Sequence, residues 1–278
     1  MISHFSALAS NYDVVLSDVW GVVHNGVAAA PDACEALHRF RERGGQVVLI
    51  TNAPRPRDSV VAQLDALGVP RAAYDAIVSS GDLTRETIVR RPGQTLWHVG
   101  PPRDRAIFAG LDVRFAPLET ADYVVCSGLF DDEVETPDDY RGRLEAMLAR
   151  ALFMVCANPD VVVERGDRLV YCAGAIADLY AGMGGDVLFA GKPYRPLYDL
   201  ALSKVRGAPA LARVLAIGDS LRTDLAGARA LGVDFLFITS GIHAADFGGR
   251  DGPDAAALRA AVEAMEKPPR AVMRRLTW

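Results

Sequence analysis

The segment at residues 12–26, YDVVLSDVWGVVHNG, decides the fold class because it joins a short apolar run directly to an acid and a turn. Its first half is a run of Val and Leu, of strand length, that ends at Asp18. Its second half ends in Asn25-Gly26, a pair typical of a two-residue type I′ hairpin turn. The segment therefore predicts a buried strand that ends in a candidate functional acid and leads into a small hairpin.

Similar runs alternate with helical patterns along the chain. The runs QVVLIT and RVLAIGD are continuous and apolar, as is typical of parallel strands that are covered on both faces. Helices are expected from Pro31 to the Gly44-Gly45 pair and over 136–151. This alternation predicts an α/β fold with a doubly wound parallel sheet. The predicted strands are 12–17, 46–51, 76–79, 95–99, 123–126, 152–157, 187–190, 213–217 and 234–239.

Composition limits the classes of function. The chain has 278 residues, 50% of them hydrophobic, and a net charge of −5 without long basic runs, which argues against disorder and against nucleic acid as a main partner. The beginning of the sequence has no basic, apolar signal pattern, and no stretch approaches the roughly 20 apolar residues that cross a bilayer. We expect a soluble, cytoplasmic protein with no membrane partner. The four cysteines lack CxxC spacing and are expected to be buried thiols.

Polar residues follow four of the predicted strands. Asp18 ends the first, Thr51-Asn52 ends the second, Lys192 stands in a Gly-Lys-Pro turn, and GDSLRTD at 218–224 follows the RVLAI run. Each of these alone is an ordinary cap or turn residue. Because the carboxyl ends of parallel strands meet at one edge of a sheet, we expect the four groups to lie together.

Such a set matches the needs of phosphoryl transfer to a carboxylate. Asp18 would attack phosphorus, and a divalent cation held by Asp18 and Asp219 would cancel the repulsion between the two anions. The hydroxyl of Thr51, nearby backbone N–H groups and the ammonium of Lys192 would donate to the phosphoryl oxygens. Water would then hydrolyse the aspartyl phosphate.

In order and position, these motifs resemble the four motifs of the haloacid dehalogenase (HAD) superfamily. Four further segments resemble its class IIA, the NagD-like branch: Pro31-Asp32-Ala33, Val78-Ser79-Ser80, Ala157-Asn158-Pro159-Asp160 and Cys172-Ala173-Gly174-Ala175-Ile176. The resemblance implies a Rossmann-like core at residues 1–92 and 186–278. It also implies an inserted α/β cap domain of the C2 type at 93–185, between hinge-like Pro and Gly segments.

The resemblance also implies roles for individual residues. Asp18 and Lys192 would be catalytic, and Mg²⁺ would be the cofactor, bound by Asp18, Asp219, Asp224 and the backbone carbonyl of Trp20. For Asn158 and Asp160, an Asx-type turn around Pro159 is an equally good interpretation. The residues expected to bind substrate or phosphate are Trp20, Gly21, Thr51, Asn52, Lys192, Asn158 and Asp160.

Trp20 departs from the family pattern. The family's phosphatases have a second aspartate two residues after the nucleophile, and it serves as general acid and base. An indole cannot supply that proton, and general acid catalysis is typically worth roughly 10²–10⁴-fold. The activity could therefore favour leaving groups that need little protonation, such as aryl or acyl phosphates. Alternatively His24, in the same hairpin, could replace the acid, although a flap residue partly exposed to solvent is the favoured interpretation.

Two further classes of function stay open. The chain could be a catalytically weak protein that binds or senses a phosphorylated ligand, because its phosphate-binding motifs are otherwise complete. It could also be a dehalogenase, although GDSLRTD, which suits a metal site, argues against this. The main expectation is a Mg²⁺-dependent phosphatase acting on a small phosphorylated metabolite, and the family resemblance makes a homodimer possible.

Overall fold

The computed structural model describes residues 1–165, 168–244, 247 and 254–278 of the chain. The chain divides into two compact units, each made of separate sequence segments. The first unit comprises Met1–Thr51, Val61–Val78 and Tyr198–Trp278, and the second comprises Asn52–Val60 and Ser79–Leu197. Among the described residues, every helix is too short or too polar to cross a bilayer. The predicted domain limits at 93 and 185 stay a prediction.

A six-stranded sheet forms the centre of the first unit, in the order β13-β12-β11-β1-β2-β3. The pairs from β13 to β2 are parallel. Strands β1 and β11 are buried at every position, as their continuous apolar sequences predict. The strand bounds are β1 Val14–Asp18, β2 Gln46–Thr51, β3 Ala76–Ser79, β11 Val214–Gly218, β12 Asp234–Ile238 and β13 Ala271–Met273.

The second unit is built on a five-stranded sheet in the order β10-β7-β6-β4-β5, in which every pair is parallel. An antiparallel hairpin, β8–β9, stands apart from this sheet. The buried side chains of Val124, Met154, Ile176 and Tyr180 belong to one hydrophobic cluster of this unit. The strand bounds are β4 Thr95–Val99, β5 Arg114–Phe115, β6 Tyr123–Cys126, β7 Phe153–Cys156, β8 Val162–Arg165, β9 Arg168–Tyr171 and β10 Val187–Phe189.

Helices connect the strands, and their ends follow the expected capping rules. Pro31 opens α2 with Asp32 in its first turn, and Ser79 caps α4 in a reciprocal capping box with Asp82. The helix bounds are α1 Ser6–Ala9, α2 Pro31–Glu42, α3 Arg57–Ala66, α4 Ser80–Val89, α5 Arg141–Ala149, α6 Ala173–Gly182, α7 Arg195–Leu202, α8 Ala226–Leu231 and α9 Ala255–Glu263.

The sequence predicted the α/β architecture and the principal strands correctly. Each of the nine predicted strands is present within two residues of its predicted bounds. The helix expected from Thr136 begins instead as a 3₁₀ turn at Pro137–Tyr140 and becomes α-helical at Arg141. All four cysteines are buried thiols, as expected.

Candidate active site

Three carboxylates meet in the first unit at the carboxyl edge of its sheet. Asp18, Asp219 and Asp224 each offer an oxygen, and these oxygens lie within 4.8 Å of one another. All three residues are at least nine-tenths buried. Carboxylate oxygens are the hard ligands that Mg²⁺ prefers, so the donor set fits that ion.

The sheet register explains why these residues converge. Asp18 lies opposite Ile50 of β2, and Ser17 lies opposite Ile217 of β11. Thr51 follows Ile50 on one side of β1, and Asp219 follows Gly218 on the other side. Both residues therefore lie one position beyond the strand residues that neighbour Asp18. Thr51 is buried at the end of β2.

Two glycines allow the backbone to approach Asp219 closely. A Cβ atom on Gly21 would lie 2.1 Å from Asp219 Oδ2, and one on Gly241 would lie 1.8 Å from the same oxygen. Gly21 also has φ +81°, a conformation that side-chain-bearing residues rarely adopt. The backbone N–H of Ile242 donates to Asp219 Oδ2 at 2.8 Å. Backbone on two sides thus fixes this carboxylate.

Asp224 is held by a compact turn that follows β11. A π-helical turn at Leu221–Leu225 is capped by Ser220, whose hydroxyl oxygen accepts from the N–H of Thr223. The N–H of Ser220 in turn donates to Asp224 Oδ2 at 3.1 Å. A Cβ atom on Gly218 would lie 2.2 Å from the Asp224 carboxyl carbon, so glycine is required where the turn begins.

The segment after Asp18 forms a small flap, defined as residues 19–29. His24 pairs with Ala29, and the side chain of Asn25 accepts from the N–H groups of Val27 and Ala28. The prediction of a type I′ turn is wrong, because that turn needs positive φ at both Asn25 and Gly26, and only Gly26 has it. The Asx-type hydrogen bonds of Asn25 close a longer loop instead.

His24 lies beneath the indole of Trp20 and is only 3% exposed, so the partly exposed flap position considered for it is wrong. The two rings meet edge to face, with 5.2 Å between their centroids. The N–H of Gly26 donates to His24 Nδ1 at 2.9 Å, and a proton on Nδ1 would require the loss of this bond. In this arrangement Nδ1 of His24 is an acceptor, so a proton that the ring could donate elsewhere would lie on Nε2.

The other predicted site residues lie in the second unit, where Asn52 joins two loops. Its Nδ2 donates to Asp160 Oδ1 at 2.9 Å and to the backbone oxygen of Lys192 at 3.1 Å. Its Oδ1 accepts from the N–H of Lys192 at 2.7 Å. Both ends of the amide are thus hydrogen-bonded inside this unit, and Lys192 is 4% exposed.

The Asn-Pro-Asp segment after β7 packs tightly against α6. The side chain of Asn158 accepts from the N–H of Asp160 at 3.1 Å, which confirms the Asx-type turn. A Cβ atom on Gly174 would lie 2.3 Å from the carbonyl oxygen of Pro159, so only glycine fits there. Contact of Asn158 or Asp160 with substrate stays a prediction.

A second polar group in this unit was not singled out from the sequence. His98 Nε2 lies 2.9 Å from the hydroxyl oxygen of Ser127, at the carboxyl ends of β4 and β6. Burial, together with the nearby Arg105, lowers the pKa of His98 to about 4. Burial also raises the pKa of Asp104 and lowers the pKa of Arg55. The attraction between these two opposite charges acts against both shifts.

Three site-forming residues of the first unit were also missed. Gly241 and Ile242 approach Asp219, and His243 Nε2 accepts from the N–H of Leu221 at 3.2 Å. They follow β12, which neighbours the strand that carries Asp219. The Thr-Ser-Gly stretch at 239–241, which ends a predicted strand, was the available signal.

Comparison with known proteins agrees with this geometry. Residues 15–114 match the family model of haloacid dehalogenase-like hydrolases, and residues 189–264 match a HAD-hydrolase-like model. A crystal structure of a haloacid dehalogenase-like hydrolase from Brucella suis 1330 is 45% identical, covers all of both chains and superposes with a TM-score of 0.85. The chain belongs to the haloacid dehalogenase-like hydrolase family.

Within that family, the relatives indicate the NagD-like class IIA branch. The ribonucleotide monophosphatase NagD of Escherichia coli K12 is 24% identical, over 84% of this chain and 89% of its own. The D-glycerol 3-phosphate phosphatase of Mycobacterium tuberculosis is 27% identical over 86% of this chain, which spans 66% of that relative's length. A magnesium complex of glycerol phosphate phosphatase from Mycobacterium tuberculosis is 26% identical, covers 96% of this chain and 77% of its own, and gives a TM-score of 0.71.

Proposed function

We propose that the protein is a Mg²⁺-dependent phosphatase of small phosphomonoesters that works through an aspartyl phosphate on Asp18. The observation that supports this most is the cluster of three buried carboxylates at the carboxyl edge of the first sheet. The relatives named for glycerol phosphate and ribonucleotide monophosphates support a hydrolase acting on phosphoric monoesters. A small phosphorylated metabolite is therefore the proposed partner.

Asp18, Asp219, Asp224 and the backbone carbonyl of Trp20 would hold the cation. When bound, Mg²⁺ would neutralise charge on the phosphoryl group and on the carboxylates around it. Gly21 and Gly241 keep Asp219 in place for this task, since any side chain at either position would displace the carboxylate. A magnesium-bound relative supports the choice of ion.

The proposed reaction has two displacements. A carboxylate oxygen of Asp18 bonds to phosphorus while the bond from phosphorus to the ester oxygen breaks, and that oxygen departs with the electron pair. Water then attacks phosphorus, the Asp18–phosphate bond breaks, and inorganic phosphate, a proton and the Asp18 carboxylate are released. Thr51 and Lys192 would donate to the phosphoryl oxygens.

The departing oxygen is where this chain differs from the family pattern. Trp20 offers it no proton, and Nδ1 of His24 is already engaged as the acceptor of the Gly26 N–H. The first hypothesis, a preference for leaving groups that need little protonation, is therefore favoured over replacement by His24.

A hydrolysis assay with phenyl phosphate and glycerol 3-phosphate, with Mg²⁺ or with EDTA, tests the proposal. We expect Mg²⁺-dependent release of phosphate by the wild type and none by Asp18→Asn. A purified wild type that binds Mg²⁺ but hydrolyses neither compound would instead favour the phosphate-binding alternative. Activity that persists in EDTA would favour a metal-independent reaction such as dehalogenation.

A further inference from the structure

The side chain that replaces the expected acid is an exposed, rigidly held aromatic surface. Trp20 is 49% exposed, although tryptophan is a residue that proteins mostly bury. Its ring packs on the flap, because a Cβ atom on Gly26 would lie only 2.3 Å from Trp20 Cη2. His24 supports the ring edge to face.

The supports of the indole are themselves fixed. His24 is buried, and its ring orientation is set by the hydrogen bond from Gly26 N–H to Nδ1. The N–H of Gly21 donates to the backbone oxygen of His24 at 2.8 Å, which ties the start of the flap to its middle. The indole therefore needs little ordering when a ligand binds to it.

The backbone that carries the indole adjoins the carboxylate cluster. Trp20 is bonded to Gly21, whose backbone lies against Asp219 Oδ2. The backbone of Gly241 lies against the same oxygen, and Ile242 is the next residue in the chain. Ile242 is also exposed, at 39%, and its N–H donates to Asp219. Two exposed apolar side chains thus extend from the two backbone segments that hold one proposed metal ligand.

We propose that Trp20 is a specificity-determining residue that selects substrates whose leaving group carries a flat aromatic ring. This inference rests on the proposed function, because the phosphoryl group must lie at the carboxylate cluster for the leaving group to reach the indole. A face of the indole stabilises an aromatic ring by offset or edge-to-face contact in addition to simple burial. Ile242 contributes apolar contact without this preference for flat rings.

The choice agrees with the missing acid. A phenolic oxygen departs with less need for a proton than an alkyl alkoxide does, so an aromatic leaving group suits a site without a general acid. The substitution that removes the proton donor would therefore also supply the surface that selects substrates able to react without one.

Binding of three phosphonates, measured by calorimetry with Mg²⁺, tests the selection without turnover, because their carbon–phosphorus bond is not hydrolysed. The three ligands are benzylphosphonate, cyclohexylmethylphosphonate and methylphosphonate. For the wild type we expect benzylphosphonate to bind more tightly than cyclohexylmethylphosphonate, by about 3- to 10-fold. For Trp20→Leu we expect this aromatic preference to disappear, with benzylphosphonate losing more affinity than methylphosphonate.

Two further variants test whether the aromatic preference depends on where the indole of Trp20 is held. Gly26→Ala should displace the ring and weaken the aromatic preference, although the indole remains. Trp278→Phe is the control, because Trp278 packs on Phe5 beside Phe40 and Arg43, next to the amino end of β2 and away from the carboxylates. It should keep the wild-type preference.

Several results would overturn the inference. Equal affinity of the wild type for the benzyl and cyclohexylmethyl ligands would remove the selection itself. An aromatic preference that persists in Trp20→Leu would show that another residue causes it. An equal loss of affinity for all three ligands in Trp20→Leu would mean that the indole only shapes the site. Hydrolysis of phenyl phosphate by the same preparations keeps the two proposals distinguishable: turnover without aromatic preference overturns the inference alone, and preference without turnover overturns the proposed function alone.

Discussion

The carboxyl edges of the two parallel sheets carry polar residues of different kinds. At the edge of the first sheet, three carboxylates of like charge lie within 4.8 Å of one another. In the second unit, the loops that follow β7 and β10 are joined by the Asn52 amide, which bonds to Asp160 and to the backbone of Lys192 through complementary donors and acceptors. Like charges held close together oppose folding unless a cation joins them, whereas a satisfied buried amide supports folding. The carboxylate cluster therefore has a donor set that fits a cation, whereas the Asn52 amide holds two loops in place.

The sharpest test of this contrast removes one charge from the first edge. Asp219→Asn should lower Mg²⁺-dependent hydrolysis by roughly 10³-fold or more, because a bound cation contributes several kcal/mol of charge stabilisation. Differential scanning fluorimetry should show that Mg²⁺ raises the melting temperature of the wild type and not that of the variant. An equal Mg²⁺-induced rise in both proteins would show that the cation binds elsewhere.

A matched pair of glycine variants tests whether close backbone approach fixes the cluster. Gly21 and Gly44 both have positive φ, but a Cβ atom meets Asp219 at Gly21 and nothing within 4 Å at Gly44. Gly21→Ala should weaken Mg²⁺ affinity by roughly 10–100-fold, the effect usual for misplacing a metal ligand.

Gly44→Ala carries similar backbone strain, roughly 1–2 kcal/mol, without the contact. Calorimetric titration should therefore show wild-type Mg²⁺ affinity for this variant. Similar losses of affinity in the two variants would mean that strain, and not displacement of Asp219, is responsible.

At the second edge, the expected effect is on stability. Asn52→Ala removes buried hydrogen bonds and should lower the free energy of unfolding by roughly 1–3 kcal/mol. Asn25→Ala, in the flap, removes two bonds from an exposed amide and should cost less than about 1 kcal/mol. Urea unfolding of both variants compares them directly, and a larger loss for Asn25→Ala would contradict the assignment of Asn52 as a structural clamp.

A further expected effect concerns acid stability of the second unit. The pKa of His98 is lowered to about 4 in the folded protein, whereas it is near 6.5 in the unfolded chain. Between these two pH values the unfolded chain binds a proton at this ring and the folded protein does not. Stability should therefore fall as the pH drops from about 6.5 towards 4, by roughly 1–2 kcal/mol after allowing for the ring's partial exposure. His98→Gln should flatten this part of the pH profile, and an unchanged profile would contradict the role of His98.

The sequence predicted the strands and the carboxylate cluster because continuous apolar runs ending in acids are a local signal. It did not predict the β8–β9 hairpin, although Gly166-Asp167 between VVVER and RLVY is a two-residue turn signal. Strands β5 and β13 were missed because two or three residues give no periodicity.

Contacts between distant segments were beyond local patterns. The strand ends predicted that Asn52 and Lys192 lie together, but they did not reveal that the Asn52 amide bonds to the backbone of Lys192 and to the side chain of Asp160. The roles of Gly241 and Ile242 likewise depend on the neighbouring strand, which sequence spacing does not define.

In the proposed reaction, Asp18 and the metal cluster act as in the family's phosphatases, but no side chain protonates the leaving oxygen. The dependence of kcat/KM on the pKa of the leaving phenol, measured with Mg²⁺ for a series of substituted phenyl phosphates, tests it most directly. We expect kcat/KM to fall steeply with rising phenol pKa for the wild type and for His24→Asn, and to depend much less on phenol pKa for Trp20→Asp. A flat dependence in the wild type, with alkyl phosphates hydrolysed as fast as aryl phosphates, would contradict it.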